Sequence, residues 1–295
     1  MVRTLADDLR ASKGWSLELL LHRRWSGSVD FAPDLGVTEV SPEHPFQIRL
    51  GQALRQSDAV WLIAPEGRGI LETLSRQVLD SGCRLLGVPP QGVALTADKL
   101  QTGYRLRRHG FATPETVLSP RRPPSPPPWV LKPRDGCGSD SVSLVGVEDP
   151  LPDGGGWLLQ TWIQGESYSL SLACDAGKGL LLSVNRQLIV RQGRRLALSA
   201  CRIGVSPPFE AEALAARIAA AFPELRGYVG VDLVYDGRQV WVIELNPRLT
   251  LSFVGLSRAS GRPVGVLLTR WLLGEMALAE LAKLWSWKAV RPVLV

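Results

Sequence analysis

The stretch from Val240 to Ser252, VWVIELNPRLTLS, constrains the fold more than any other in the chain. Val240, Trp241, Val242 and Ile243 form a short apolar run of the kind that becomes a buried strand. Three polar side chains, Glu244, Asn246 and Arg248, then follow at alternate positions. Side chains of a strand alternate faces, so these three share one side of a sheet at the strand's end. Pro247 removes a backbone donor and helps to end pairing there. A carboxylate beside an amide oxygen is a donor set for a hard cation such as Mg²⁺. A guanidinium just beyond suits a phosphate or a carboxylate. A lone Glu-x-Asn reads as a solvated strand end, but three polar groups in one register behind four apolar ones point to a site.

Strands of this kind need partners, and the rest of the sequence supplies two textures. Before residue 96, strand-like and helix-like segments alternate. Val2 to Ala11 reads as a helix, Trp15 to Leu21 as a strand, Pro42 to Gln56 as a helix and Asp58 to Ala64 as a buried strand. Gly69 to Ser81 reads as a helix and Arg84 to Gly87 as a short strand. Such alternation predicts a parallel α/β layer. Its loop at Ala64 to Gly69 follows a strand's C-terminal end, where ligands bind in such sheets. Thr96 to Arg108 predicts a helix capped by Thr96. The proline-rich run Pro120 to Pro128 reads as a stiff surface connection.

Beyond that connection strands dominate. They are predicted over Trp129–Lys132, Ser141–Val145, Trp157–Ile163, Tyr168–Asp175, Gly179–Val190 and Arg194–Ile203. A helix follows over Phe209–Phe222, then a hairpin, Tyr228–Tyr235 and Gln239–Leu245, turning at Asp236-Gly237. The helix Pro263–Glu275 closes an α+β half. Between two of these strands lies Arg134 to Asp140, RDGCGSD, preceded by Lys132. The amides of Gly136, Gly138 and Ser139 could cradle phosphates, because glycine lets backbone approach a ligand closely. The loop is no P-loop, since its lysine comes first and no GKS or GKT follows. It is no dinucleotide fingerprint either, since no helix opens from it. On its own it reads first as a glycine hairpin, and Lys99 on its own as a surface lysine.

Composition narrows the function classes. A chain of 295 residues with 45% hydrophobic and 21% charged residues can bury a large core, in two or three lobes. No apolar run is long enough to span a bilayer, and no signal-peptide pattern opens the chain. The cysteines at 83, 137, 174 and 201 are scattered without a CxxC, which speaks against zinc or a disulfide framework and for the cytoplasm. A net charge of +6 suits anionic substrates. No nucleic-acid motif accompanies it, so no nucleic-acid or membrane partner is expected.

Taken together, TADKLQT with Lys99, VLKPRDGCGSDSV with Lys132, QTWIQGES, GYVGVDLVYD with Asp232, and IELNPR resemble the motifs of the ATP-grasp superfamily, in its order, over about residues 85 to 275. The resemblance implies a parallel-sheet N-terminal domain (1–95) before an ATP-grasp domain (96–295). Two α+β lobes of that domain, about 115–175 and 176–275, would clamp ATP. Lys99 and Lys132 would then contact phosphates, and the loop with Gly136, Gly138 and Ser139 would cover them. Gln160 and the backbone of Trp162 and Ile163 would hold the adenine, with Glu166 near the ribose. Asp232, Glu244 and Asn246 would hold two Mg²⁺ ions, for which Mn²⁺ can substitute. Arg248 would meet the γ-phosphate or an acyl phosphate. The resembled family opens on a strand and a glycine-rich turn, whereas this chain opens in a helix, so a missing first strand is expected.

The segment SVNRQLIV and the NPRLTLSFVGLS ending further resemble the tyramine–glutamate ligases of methanofuran-type cofactor synthesis. That likeness implies glutamate as the activated acid and an aromatic amine as nucleophile, with Arg186, Gln187 and Thr250 as further contacts. It also allows a homodimer. The implied reaction passes through an acyl phosphate and needs no side-chain nucleophile, which agrees with His22, His44 and His109 lying outside every motif.

Overall fold

The computed structural model describes residues 1–10, 12, 14–26, 35–136 and 141–295. Helix α1 (Val2–Arg10) buries the stripe Leu5, Ala6 and Leu9. Strand β1 (Glu18–His22) and, after the short α2 (Arg23–Ser26), β2 (Gly36–Val40) pair in parallel. Helix α3 (Phe46–Leu54) leads to β3 (Ala59–Val60), and α4 (Ile70–Asp80) crosses over to β4 (Arg84–Leu85), parallel to β3. A parallel pair needs such a crossover. The expected parallel layer is thus two parallel pairs over one core, in which Leu50, Leu54, Leu74, Val78 and Cys83 pack with Leu20, Val60 and Leu85.

Predicted strands of this layer are shorter than expected, β4 among them, which ends at Leu85. Residues 15 to 17 precede β1, and the run from Asp58 to Ala64 pairs only at Ala59 and Val60. The rest of that run is apolar for another reason. The indole Nε1 of Trp61 donates to Thr269 Oγ1 at 2.9 Å, and Leu62 and Ala64 pack on the core of the large sheet. The helix predicted over Thr96–Arg108 starts later, as α6 (Lys99–Arg108), and Thr96 and Ala97 instead end a helix that was not predicted, α5 (Pro90–Ala97). Asp98 breaks the run with extended backbone, and its carboxylate accepts from the amides of Leu100 and Gln101 at 3.0 and 3.2 Å. Asp98 is therefore the cap in place of Thr96, whose hydroxyl donates to Gly92 O inside α5 at 2.7 Å.

The remaining chain builds one large sheet. Its strands are β5 (Thr116–Leu118), β6 (Trp129–Pro133), β7 (Ser143–Val145), β8 (Trp157–Thr161), β9 (Glu166–Asp175), β10 (Lys178–Gln192) and β11 (Arg195–Ile203). Helix α7 (Ala211–Ala221) precedes the hairpin of β12 (Arg226–Tyr235) and β13 (Val240–Asn246). Helices α8 (Phe253–Ser260), α9 (Val264–Leu272) and α10 (Leu278–Leu284) and strand β14 (Val293–Leu294) end the chain. Among the described residues the spatial order is β13-β12-β9-β10-β11-β7-β6-β8-β5, with β14 beside β11. The sheet has two lobes, β7-β6-β8-β5 and β13-β12-β9-β10-β11, which join where Arg195 of β11 pairs with Ser143 of β7. Strand β9 (Glu166–Asp175), expected in the first lobe by the boundary at 175, lies inside the second, between β12 and β10. One face of the large sheet is covered by α7 and α5, through Leu170, Leu172, Ile218 and Phe222. The other meets α1 and α8 to α10, through Ala173, Tyr228, Phe253 and Leu268. Further along that second face the side chains turn polar, and there a cavity opens between the lobes.

Candidate active site

The hairpin of β12 and β13 sets the centre of this cavity. Asp232 stands directly opposite Glu244, and Gly230 opposite Asn246. A bulge at Ile243 lets Val242 face the core with Leu233 while both Ile243 and Glu244 face the cavity. Alternation carries the polar face on to Asn246, and a turn closed by Arg248 N donating to Asn246 O at 2.9 Å brings Arg248 to the same wall. The cavity measures about 510 Å³ and reaches Val130, Lys132, Gln160, Trp162 and Ile163 across the lobe boundary.

Two lysines meet the acids. Lys132, on the cavity face of β6, places Nζ 3.7 Å from Glu244 Oε2. Lys99 opens α6, places Nζ 3.8 Å from the same oxygen and donates to Gly136 O at 2.6 Å. An ion pair of Asp98 with Arg134 at 2.6 Å ties the start of α6 to the glycine loop. Gly136, at φ 149°, adopts backbone that a side chain would strain. Burial alone would raise the Glu244 carboxyl, but Lys99, Lys132 and Arg248 prevail and hold it below the ordinary carboxylate range. Lys132 is pushed down, by burial first and by Lys99 second, against the pull of Glu244.

Asp232 behaves oppositely. Burial, with the Glu244 charge adding to it, raises its carboxyl to about 6. Its oxygens accept from Gln187 Nε2 at 2.8 Å and Asn246 Nδ2 at 3.0 Å, which fixes the carboxylate without neutralising it. Two facing half-buried carboxylates and an amide are an oxygen donor set that fits a hard divalent cation. No group of three or more His, Cys, Asp or Glu side chains gathers anywhere among the described residues, so the third donor here is the Asn246 amide. Cys201 also lines the cavity, and burial pushes its thiol up to about 12, so it stays protonated.

The floor is a hydroxyl network. Tyr228 OH lies 2.8 Å from Ser171 Oγ, 3.0 Å from Thr250 Oγ1 and 3.1 Å from Ser252 Oγ. Thr250 and Ser252 face the cavity, as does Ser169, which accepts from Asn185 Nδ2 at 3.3 Å. Apart from the half-buried Thr250 these groups are buried, and they are satisfied by one another, so the floor is rigid and polar. Arg248 is clamped from outside the sheet. Its Nε and Nη2 donate to both oxygens of Glu66, at 2.5 and 3.2 Å.

Comparison with known proteins places this geometry. The ATP-grasp domain family matches residues 96–252, and the pre ATP-grasp 3 domain family matches residues 18–93. The chain belongs to the ATP-grasp family. The tyramine–L-glutamate ligase of Methanocaldococcus fervens is 27% identical over 242 residues, 80% of this chain and 75% of that protein. Among solved structures, an ATP-grasp superfamily protein from Archaeoglobus fulgidus is 27% identical at a TM-score of 0.65, covering 86% of this chain and 88% of that one. The biotin carboxylase domain of 2-oxoglutarate carboxylase from Hydrogenobacter thermophilus, determined with MgADP, shares the fold at a TM-score of 0.70 and 15% identity, covering 97% of this chain and 69% of that one. These relatives support an ATP-dependent carboxylate–amine ligase. The pre ATP-grasp match begins at residue 18, the first residue of β1, so an opening strand is present and α1 precedes it.

Against this ATP-grasp frame the expected residues divide. The structure brings together Lys99, Lys132, Gly136, Asp232, Glu244, Asn246 and Arg248. Gln160, Trp162 and Ile163 line the far end of the cavity, where Gln160 Nε2 donates to Thr116 Oγ1 at 2.9 Å. Gly138 and Ser139 lie outside the described residues. Arg186 and Glu166 are not brought to the cavity. They pair with each other at 2.6 Å on the opposite face of the sheet, where Arg186 also stacks 4.8 Å from the Tyr168 ring. Alternation explains it, because Gln187 and Ser167, one residue on, point inward. Glu66, Ser171, Tyr228 and Ser252 were not predicted. Only the place of the Ala64–Gly69 loop, after a strand's C-terminal end, signalled Glu66.

Proposed function

We propose that the chain joins glutamate to an aromatic amine of the tyramine class, activating a carboxylate of the acid as an acyl phosphate and releasing ADP and phosphate. The observation that carries this reading is the Asp232–Glu244 pair, opposed on adjacent strands and met by two lysines and an arginine. The likeness to tyramine–L-glutamate ligase, over four fifths of the chain, supports the choice of acid and amine.

Each residue then has a task. Lys132 and Lys99 bind oxygens of the phosphate chain, and Gly136 lets the loop backbone lie over them. Gln160, Trp162 and Ile163 form the end of the cavity that takes the base. Asp232, Glu244 and Asn246 would hold Mg²⁺, or Mn²⁺ in its place, as two ions. When bound, those ions would supply charge neutralisation at the phosphates. Arg248, fixed by Glu66, faces the transferring phosphoryl group. The hydroxyl floor of Thr250 and Ser252, with Gln187, orients the acid. The attacking amine needs no protein nucleophile, and the thiol of Cys201 stays protonated. Catalysis is thus positioning and electrostatics. A homodimer goes with this reading and is checked by light scattering.

Incubation with ATP, Mg²⁺, glutamate and tyramine should release ADP only when both acid and amine are present. Mass spectrometry should show the amide. ADP release that ignores the amine, or no release with any acid and amine pair, would contradict the proposal.

A further inference from the structure

The loop Pro65-Glu66-Gly67-Arg68-Gly69, between β3 and α4, reaches the cavity wall from the N-terminal layer. Its position is fixed on three sides. Arg68 N donates to Asp135 Oδ2 at 2.8 Å, Leu71 N donates to Pro65 O at 3.1 Å, and a Cβ on Gly67 would come within 3.0 Å of Gly136 Cα. The loop therefore sits against the base of the glycine loop as well as against Arg248. Glu66 is 3% exposed, and both its oxygens accept from the one guanidinium. A third contact, Arg248 Nη1 donating to Leu249 O at 3.2 Å, completes a fixed orientation.

Arg248 is half-buried, with 16% of its side chain exposed, and a largely desolvated guanidinium that loses its carboxylate seeks another, because leaving it unpaired is costly. Arg248 shares its cavity wall with Asp232 and Glu244, and its charge reaches both acids. An Arg–carboxylate pair formed there would take up the oxygens that suit a divalent cation. We propose that Glu66 is a positioning residue that holds Arg248 off the Asp232–Glu244 pair and so keeps those carboxylates open to a cation. This rests on the reading of the acid pair given above. It makes the competence of the cation site depend on the docked N-terminal loop, a segment far from every other residue of the site in sequence.

Calorimetric titration of Mg²⁺ into the full chain with saturating ADP tests this without turnover. Glu66→Gln should weaken Mg²⁺ binding by at least about fivefold, in the range of coupling between contacting charged residues. Arg248→Met, which removes a positive charge that reaches both acids, should bind Mg²⁺ no more weakly than the wild type, and Glu66→Gln added to Arg248→Met should cost no more than about twofold further, because the competing cation is gone. A role confined to packing would weaken binding equally in both backgrounds, and that result would overturn the inference. Glu66→Asp, which keeps the charge, replaces Glu66→Gln if the latter does not fold, and should retain more than half of the wild-type affinity when Glu66→Ala does not. A wild type that binds Mg²⁺ beside a Glu66→Gln that binds it equally well overturns this inference alone. A wild type that binds none overturns the acid-pair reading with it.

Discussion

Glu244 receives two lysines on one oxygen and faces a second acid, so its charge is used from both sides. Glu244→Gln is nearly isosteric and should keep the fold, at some cost in thermal stability because buried Lys132 loses its partner charge, while lowering turnover by about 10²-fold or more, the scale of losing one preorganised charge. ADP release within a few-fold of the wild type would remove Glu244 from the cation site. Asp232 gives a pH signature. Its carboxyl is raised to about 6, so the proton competes with a cation up to that pH. Calorimetric Mg²⁺ affinity should be flat above about pH 7 and fall about tenfold per unit below about 6. A flat profile from pH 5 to 8 would contradict the assignment. Glu244, Asn246 and Arg248 were readable because polar groups at alternate positions behind an apolar run gather on one face of a strand's end. Glu66 was not, since its partner stands 182 positions away and only tertiary packing joins them. Arg186 and Gln187 show a sharper limit. Adjacent polar residues on one strand face opposite ways, and the sequence does not say which faces inward.

Element by element, the strands and helices followed hydrophobic period well, while their joints did not. The bulge at Ile243, which turns two consecutive side chains into the cavity, leaves no trace in an unbroken apolar run. Asp98 could have been read as a cap from its place before KLQT, but the apolar helix ahead of it hid the break. Gly165, where β8 passes into β9, makes a sharper prediction. A Cβ there would overlap Tyr235 O, a backbone atom of a paired strand that cannot step aside. Gly165→Ala should therefore lower stability by about 1–3 kcal/mol, read as an earlier urea midpoint. A change below about 0.5 kcal/mol would mean that the backbone at this joint yields freely.

Across the whole molecule, the site exists only where three parts meet. The N-terminal layer brings Glu66, the small lobe brings Lys132, and the large lobe brings the acids and Arg248. The sequence showed a parallel layer followed by a strand-rich half, because helices between strands and hairpins between strands space their apolar runs differently. It did not show that one sheet runs through both lobes, because the joint is a single pair, Arg195 with Ser143. No helix among the described residues is long and apolar enough to cross a membrane. What this assembly does chemically is tested most directly by the fate of a carboxyl oxygen. A carboxylate needs no base to attack phosphorus at neutral pH, being ionised already. Glutamate labelled with ¹⁸O in its carboxyls should pass one label to the released phosphate during turnover with ATP, Mg²⁺ and the amine, alongside ADP. Turnover with unlabelled phosphate, or with AMP and pyrophosphate in place of ADP, would contradict the acyl-phosphate mechanism.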